Sequence, residues 1–336
     1  MNKLLALAGV CTCVFLAVWS SSCNNSSEEK EKARADSIAL VVERGRYLAN
    51  HVAACIHCHS ERDFSKFSGP VKPGTEGGGG LRFSSEEASI IPGEMYSSNI
   101  TPDSATGIGS WTDAEILRAI TQGINKKGDT LFPLMPYASF NKMAKEDLLS
   151  IIAYLRTLKP ISKKVPARRL PFPVSVAYPG PALQASVDQN LRPAETDTIR
   201  YGQYLVTMAN CVPCHTPFDK GKPDMTRMFA GGNVFTHPGF QVASSNITPD
   251  STGIGKWDEG RFLNKFMIYR DSAQVNVSAG RQNTVMPLSD YAGMKDSDLK
   301  AIYYYLRSVK PVNNAVDKYP AEKTKQWNMG AFKVVK

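Results

Sequence analysis

The chain has no cysteine left over for a disulfide framework. Of its seven cysteines, Cys11, Cys13 and Cys23 lie near the N-terminus, and the other four belong to two short motifs of identical spacing. A small fold that is held together by disulfides is therefore excluded. With 336 residues, of which 42% are apolar, the chain can instead bury the cores of two domains.

The apolar run at the N-terminus is too short to cross a membrane. Residues 4–19 form a run of sixteen residues, whereas a membrane-spanning helix needs about 20. Lys3 precedes the run and three serines follow it, which is the pattern of a secretory signal peptide. We predict that residues 1–22 are such a signal and that the mature protein is exported to the periplasm or cell envelope.

Three small residues, Ser20, Ser21 and Ser22, stand directly before Cys23 and resemble a bacterial lipoprotein cleavage site. Ser20 departs from that pattern, in which leucine is usual, and an ordinary signal peptide with an incidental cysteine is the alternative. We predict lipidation of Cys23, which would anchor the protein to a membrane. Residues 23–37 are polar and charged without apolar periodicity, so we expect a flexible tether.

Long basic clusters are missing, although the formal net charge is +9. The one short cluster, KKVPARR at residues 163–169, lies in a proline-rich stretch that is typical of a solvated linker. Dispersed charge and export together argue against a nucleic-acid partner. The positive balance instead favours protein partners that present an acidic docking patch.

The two halves of the chain repeat the same motifs in the same order, which indicates tandem copies of one domain. The repeated pairs are GRYL at Gly45 and GQYL at Gly202, SSNITPD at Ser97 and Ser244, TGIGSW ending at Trp111 and TGIGKW ending at Trp257, and AYLRTLKP ending at Pro160 and YYLRSVKP ending at Pro311. We assign copy 1 to residues 38–160, a proline-rich linker to 161–195, copy 2 to 196–312 and a C-terminal tail to 313–336.

Apolar residues within each copy recur with the period of a helix, and strand-like alternation is rare, so the fold class is predicted to be all-α. Thr112 and Glu115 form a capping-box pattern, and Trp111 can pack onto Ile116. Copy 2 places Asp258 at the equivalent cap. The last helix of each copy is predicted from Leu148, Ile151, Ile152, Leu155 and Leu158, and from Leu299, Ile302, Tyr303, Leu306 and Val309.

Each copy contains one CxxCH motif, in which two cysteines directly precede a histidine. This arrangement has a direct chemical use: the thiols form thioethers with the vinyl groups of haem, and the histidine binds the iron. A zinc site would need two such pairs close together or paired histidines, and a redox-active pair would need a βαβ context. We therefore predict two covalently bound haem c groups, on Cys55, Cys58 and His59 and on Cys211, Cys214 and His215.

A haem iron that only carries electrons needs a second axial ligand. Met135 and Met286 are candidates, because each precedes proline in a loop before the last helix of its copy. Met143 and Met294 also match between the copies and compete for the assignment. Any of these methionines could instead fill gaps in the core, which is the commoner role of this residue.

The assembled motifs resemble class I cytochrome c domains, and more closely the cytochrome c subunits of membrane-bound alcohol and sugar dehydrogenases. The stretches that carry the resemblance cover most of residues 38–160 and 196–311. The resemblance implies two tandem class I domains joined by the linker. Such subunits often have three haem domains, whereas this chain has two.

The resemblance also assigns roles to single residues. It favours Met135 with His59 and Met286 with His215 as axial pairs, and it places Gly45 and Gly202 where the first and last helices of a domain cross. Trp111 and Trp257 correspond to a tryptophan that donates to a haem propionate, although core packing would also explain them.

These features predict an electron carrier between a periplasmic dehydrogenase or quinone-linked donor and a downstream cytochrome or oxidase. A dihaem peroxidase is the alternative, with His237 as a ligand that could exchange. A haem-based sensor or a structural subunit of a larger complex is a third possibility. His51 and His57 lie close to the first CxxCH motif and are interpreted as surface or loop residues.

Overall fold

Most of the secondary structure is helical in the computed structural model, which describes residues 28–84, 93–177, 183, 186–219, 222–275 and 282–321. The first helix, α1, covers residues 28–47 and leads into a π-helical turn at Leu48–Val52. The further helices are α2 (Cys55–Cys58), α3 (Asp113–Gln122), α4 (Tyr137–Phe140), α5 (Lys145–Leu155), α6 (Val174–Ala177), α7 (Thr198–Met208), α8 (Cys211–His215), α9 (Glu259–Met267), α10 (Ser272–Val275), α11 (Leu288–Tyr291) and α12 (Asp296–Ser308).

Strands contribute little in the described part of the chain, as the rarity of alternating sequence predicted. They form three antiparallel two-stranded hairpins. These are β1 (Arg82–Ser84) with β2 (Glu94–Tyr96), β3 (Phe218–Asp219) with β4 (Lys222–Pro223), and β5 (Val234–His237) with β6 (Phe240–Ala243).

Helix α1 begins inside the segment that was predicted to be a flexible tether. Residues 28–37 are helical and exposed, so the helix starts well before the predicted boundary at residue 38. The physical reason is composition, because Glu, Lys, Ala and Arg are strong helix formers even without an apolar face. The predicted signal peptide and Cys23 lie outside the described residues. No described helix is both long and apolar enough to cross a membrane.

Two close helix crossings depend on glycine. A Cβ atom on Gly45 of α1 would lie 1.8 Å from the backbone oxygen of Ser150 in α5. A Cβ atom on Gly202 of α7 would lie 2.0 Å from the backbone oxygen of Ala301 in α12. Any other residue would push the helices apart, which explains the glycines in the repeated GRYL and GQYL motifs.

The predicted caps are confirmed. The side chain of Thr112 accepts a hydrogen bond from the Glu115 backbone N–H at 3.2 Å, and Glu115 accepts one from the Thr112 backbone N–H at 2.8 Å. Asp258 caps α9 by accepting from the Arg261 backbone N–H at 2.7 Å. These caps satisfy backbone donors that a helix start leaves unpaired.

The last helices bury the predicted faces but are shorter than predicted in both copies. Leu148, Ile151, Ile152 and Leu155 are at most 3% exposed, while Leu158 follows the end of α5. In copy 2, Val309 likewise follows the end of α12. A lysine-proline pair follows each helix, and the residue before a proline is disfavoured in helical geometry, so neither helix can continue through this pair.

Reciprocal tyrosine contacts join the two copies, and most of their buried apolar residues form one shared hydrophobic core. The Tyr47 hydroxyl of copy 1 donates to Asp298 of copy 2 at 2.6 Å, and the Tyr204 hydroxyl of copy 2 donates to Asp147 of copy 1 at 2.8 Å. The tyrosines occupy equivalent positions of the repeat, and so do the aspartates. Contacts that are exchanged in both directions are those of a two-fold interface.

The start of the linker follows the surface of copy 1. The Ile161 carbonyl accepts from the Asn99 side chain at 2.7 Å, and Lys163 Nζ contacts Glu61 at 2.8 Å and the Gly79 carbonyl at 2.9 Å. The linker therefore braces the same loop that carries the SSNITPD motif of copy 1.

Candidate haem-binding sites

Both CxxCH motifs form short helical turns of the same geometry. Each turn follows a non-glycine residue in the left-handed region, Ala54 with φ 49° and Asn210 with φ 51°. Such a residue reverses the chain direction, so that the cysteine turn begins at an angle to the preceding helix. The four cysteines are free thiols, and the sequence repeat is thus matched by a repeat of local structure.

The histidine after each cysteine pair has one ring nitrogen fixed. His59 Nδ1 lies 2.7 Å from the Ser98 carbonyl, and His215 Nδ1 lies 2.8 Å from the Ser245 carbonyl. A carbonyl can only accept, so Nδ1 carries the proton and Nε2 keeps its lone pair. Burial lowers the pKa of both histidines, which keeps the rings neutral and able to bind a metal.

The carbonyls that orient the histidines belong to the repeated SSNITPD turns. Asn99 Oδ1 accepts from the backbone and hydroxyl of Thr101 at 3.0 and 2.7 Å. Asn246 Oδ1 makes the same contacts with Thr248 at 2.9 and 2.8 Å. Both asparagines are only 4% exposed. They therefore cap the turn that supports each histidine.

The two cysteines of each motif differ in exposure, and burial hinders ionisation of the more buried thiol. Cys58 and Cys214 are exposed, while Cys55 and Cys211 are half-buried. Burial raises the pKa of the Cys55 and Cys211 thiols to about 12, so they are neutral at physiological pH. Within the described ranges no cluster of three or more His, Cys, Asp or Glu side chains could hold a metal ion.

The candidate methionines differ in burial. Met135 and Met286 are partly buried and lie in the loops directly before α4 and α11. Met143 is 0% exposed and Met294 is 2% exposed, and both belong to the hydrophobic core. A sulfur atom that is fully packed among apolar side chains has no free direction in which to meet a ligand. The burial pattern favours Met135 and Met286.

The donor set in each copy fits a haem c group. Each offers two reduced thiols in the CxxC spacing, a neutral histidine with a free Nε2 and a partly buried methionine. Thiols, imidazole and thioether are the ligands by which proteins attach and bind haem c.

The two tryptophans are partly buried and pack against the core. Arg261 lies 4.9 Å above the Trp257 ring. The indole N–H of Trp111 and of Trp257 donates to no acceptor among the described residues, which leaves it available for a propionate. Their predicted role stays a prediction.

The interpretation of His57 as a surface or loop residue is wrong. Its side chain is 6% exposed, and Nδ1 lies 2.6 Å from Asp290 Oδ2 of copy 2. The Arg62 guanidinium contacts its other nitrogen, Nε2. Burial, followed by the Arg62 charge, lowers the pKa of His57, so the ring is neutral and donates to Asp290 through Nδ1.

His51 also points into the contact between the copies. Its Nδ1 lies 2.9 Å from the Asp290 carbonyl, and its ring fills the space that a Cβ on Gly293 would occupy, 2.1 Å from Nδ1. No feature of the local sequence indicates these contacts, because their partners lie more than 230 residues away.

His237, the candidate for an exchangeable ligand, takes part in an aromatic cluster. It ends strand β5, and its ring lies 4.1 Å from that of Phe64 in copy 1 and 5.0 Å from that of Phe240. Ring packing against the other copy gives His237 a structural role. This position does not favour the peroxidase alternative.

Comparison with known families defines the class of protein. Residues 199–310, which are most of copy 2, match the family model "Cytochrome c". Residues 199–310 therefore carry a cytochrome c domain, which confirms the resemblance noted in the sequence.

Several curated proteins are similar to most of the chain. The cytochrome c subunit of alcohol dehydrogenase (quinone) from Gluconacetobacter polyoxogenes is 31% identical over 82% of this chain and 58% of its own length. The gluconate 2-dehydrogenase cytochrome c subunit of Pantoea cypripedii is 30% identical over 80% of this chain and 59% of its own length. The chain thus spans less than two thirds of these relatives.

One further relative is matched over most of its own length. The "Diheme cytochrome c-type" protein of Cereibacter sphaeroides is 29% identical over 77% of this chain and 82% of its own length. The homologues therefore include both dehydrogenase cytochrome subunits and a dihaem cytochrome.

Proposed function

We propose that the protein is a dihaem cytochrome c with two tandem class I domains. One haem would be attached to Cys55 and Cys58 and the other to Cys211 and Cys214. The single observation that supports this best is the repeated histidine geometry, in which each Nδ1 donates to a carbonyl of the SSNITPD turn. The family match covers copy 2 alone, and copy 1 has the same turn, histidine contact and asparagine cap.

We propose His59 with Met135 and His215 with Met286 as the axial ligands. Bound haem supplies a one-electron couple, and methionine opposite histidine favours the ferrous state and a high potential. The protein contributes the fixed orientation of each imidazole and the partly buried thioether. Because a histidine and a methionine would both bind each iron, no site would stay open for peroxide, and the role would be electron transfer.

The proposed physiological role is relay of single electrons from a periplasmic dehydrogenase, or a quinone-linked donor, to a downstream cytochrome or oxidase. The relatives named as dehydrogenase subunits support this proposal. We further propose export through residues 1–22 and a lipid anchor on Cys23. Removal of Lys3 with residues 1–22 lowers the net charge from +9 to +8, and this positive charge supports partners with an acidic docking surface.

The test is an optical redox titration of the holoprotein combined with intact mass measurement. We expect the mass of two haem groups and a far-red sulfur-to-iron band in the ferric form that corresponds to both haems. Met135→Ala and Met286→Ala should each remove about half of that band, because each methionine ligates one of two irons. A single haem, or a full band in either variant, would refute the assignment.

Reaction with hydrogen peroxide separates the carrier from the peroxidase. The reduced protein should be oxidised by peroxide no faster than a monohaem cytochrome of the same axial ligation. Rapid catalytic turnover would favour the peroxidase alternative.

A further inference from the structure

A loop of copy 1 contacts the segment of copy 2 that carries Met286. This bridging loop, residues 62–71, is closed at its ends by an antiparallel bridge between Arg62 and Val71. Phe67 stacks on Tyr269 of copy 2 with ring centroids 4.9 Å apart. The loop is therefore packed into the other copy.

Ser68 of the bridging loop bonds to the backbone of Met286 and of Leu288. Its hydroxyl donates to the Met286 carbonyl at 2.7 Å and accepts from the Leu288 backbone N–H at 2.9 Å. The side chain is 0% exposed, and its backbone has φ 63°. A buried serine in the left-handed region is uncommon, and here this conformation brings the hydroxyl to the Met-Pro segment.

Asn283 fixes the same contact from the side of copy 2. Its Oδ1 accepts from the Ser68 backbone N–H at 2.9 Å, and its Nδ2 donates to the Phe64 and Lys66 carbonyls at 3.0 and 3.1 Å. The side chain is 1% exposed. All of its polar atoms are thus used to hold the bridging loop against the residues directly before Met286.

The bridging loop is tied in turn to the first CxxCH motif. The Arg62 guanidinium donates to the Ser68 carbonyl at 2.5 Å, and it also contacts the Gly69 carbonyl and His57 Nε2. His57 lies between Cys55 and Cys58. A continuous set of buried contacts therefore joins the first haem attachment to the methionine segment of the second site.

The two methionine segments are not equivalent in this respect. Among the described residues, the Met135 backbone bonds only within its own segment, accepting from Tyr137 at 2.8 Å and donating to Phe132 at 3.1 Å. Met286 has the corresponding bond to Leu288 at 2.8 Å and, in addition, the bond from Ser68. Within the described ranges, a hydrogen bond from the other copy therefore reaches the backbone of Met286 and not that of Met135.

We propose that Ser68 and Asn283 are positioning residues for the Met286 ligand, so that copy 1 controls axial ligation in copy 2. This inference rests on the proposed assignment of Met286 to the second haem. Holding the segment in place lowers the cost of bringing the sulfur to the iron. The first haem lacks this support and provides an internal reference.

The test compares two glycine variants of the same loop. Ser68→Gly removes the hydroxyl and suits the left-handed backbone, while Ser65→Gly changes an exposed serine whose hydroxyl bonds only to Asp63. In ferric holoprotein, Ser68→Gly should weaken the far-red band by up to half, shift the midpoint potential of one haem downward and increase imidazole affinity at that haem about tenfold. Ser65→Gly should match the parent protein.

Asn283→Asp serves as a second variant, because it keeps the acceptor for Ser68 and replaces the donor that faces two carbonyls. It should shift band, potential and imidazole affinity in the same direction as Ser68→Gly. If both variants fold and match Ser65→Gly in all three measurements, the inference is wrong, even where Met286→Ala still removes half of the band. If Met286→Ala leaves the band intact, the ligand assignment fails, and the inference fails with it.

Discussion

At the scale of single residues, the two CxxCH histidines depend on neighbouring groups that fix the orientation of their rings. His59 and His215 have their rings fixed by carbonyls of the Ser-Asn turn, and Asn99 and Asn246 hold that turn together. The asparagine side chains also reach the chain after the last helix, because Asn99 Nδ2 donates to Ile161 and Asn246 Nδ2 donates to Val312. One asparagine in each copy thus connects the SSNITPD turn to the chain that follows the last helix of that copy.

Replacing either asparagine should destabilise its copy. Asn99→Ala and Asn246→Ala remove a buried side chain, leave a threonine N–H unpaired and leave a carbonyl with only a longer threonine contact, so we expect each to lower the free energy of unfolding by about 3 kcal/mol. Guanidinium denaturation of the ferric holoprotein measures this. Asn313→Ala, at an exposed position with one long contact to Asp250 at 3.4 Å, is the control, and equal losses in all three variants would contradict the prediction.

At the scale of secondary-structure elements, the copies are built around close helix crossings. The backbone of α5 lies against Gly45, and that of α12 lies against Gly202. The contact atoms are backbone carbonyls, which cannot move aside as a side chain can. The shape of each domain therefore depends on one glycine.

Substitution of the glycine at either crossing should strongly lower the free energy of unfolding. Gly45→Ala and Gly202→Ala bring a methyl group within about 2 Å of a carbonyl oxygen, and we expect losses of about 3 kcal/mol in free energy of unfolding. Gly260→Ala in α9 is the matched control, since its nearest neighbour would be Asp258 Oδ1 at 3.6 Å. This control should gain about 0.5–1 kcal/mol, because alanine favours a helix more than glycine does.

Denaturant titration of the three glycine variants, each compared with the parent protein, provides the measurement. A mild effect at Gly45 or Gly202, similar in size to that at Gly260, would show that the helices do not cross as closely as described.

At the scale of the whole molecule, two tyrosine-aspartate hydrogen bonds join the copies, and the two aspartates differ in how many other partners they have. Asp147 also contacts Arg44 at 2.9 Å and Arg192 at 3.2 Å. Asp298 has the Tyr47 bond and only longer contacts, such as that from Tyr201 at 3.5 Å. Burial, followed by the Asp298 charge, raises the pKa of Tyr47, so its hydroxyl stays protonated and can donate.

Because the two aspartates differ in their other partners, the two tyrosine substitutions should lower the free energy of unfolding by different amounts. Tyr47→Phe leaves Asp298 nearly unpaired in a buried position and should cost about 2–3 kcal/mol of stability. Tyr204→Phe leaves Asp147 with its arginines but removes the acceptor of the buried Ala144 N–H, and it should cost about 1–2 kcal/mol. Tyr304→Phe, at an exposed hydroxyl, is the control for loss of a phenol. Thermal and denaturant unfolding of the holoprotein would contradict the prediction if Tyr204→Phe proved the more damaging change.

The sequence by itself determined the features that are written within a few consecutive residues. The capping residues Thr112 and Asp258 were predicted, because helix capping acts over about one helical turn. The CxxCH motifs are equally short and can be recognised in the sequence, and haem attachment to them stays a prediction. The composition of residues 28–37 also favoured a helix, but their polarity suggested a tether. Polar side chains indicate that a segment is exposed to solvent, and an exposed segment can still be helical.

Only the tertiary structure decided how the two copies meet. The contacts of Ser68 with Met286, of His57 with Asp290 and of Tyr47 with Asp298 join residues more than 200 positions apart. Such pairs have no periodic or spacing signature, since each partner is equally compatible with a solvent-exposed loop. They form because the shared core brings the copies together, and burial then makes an unpaired polar group costly.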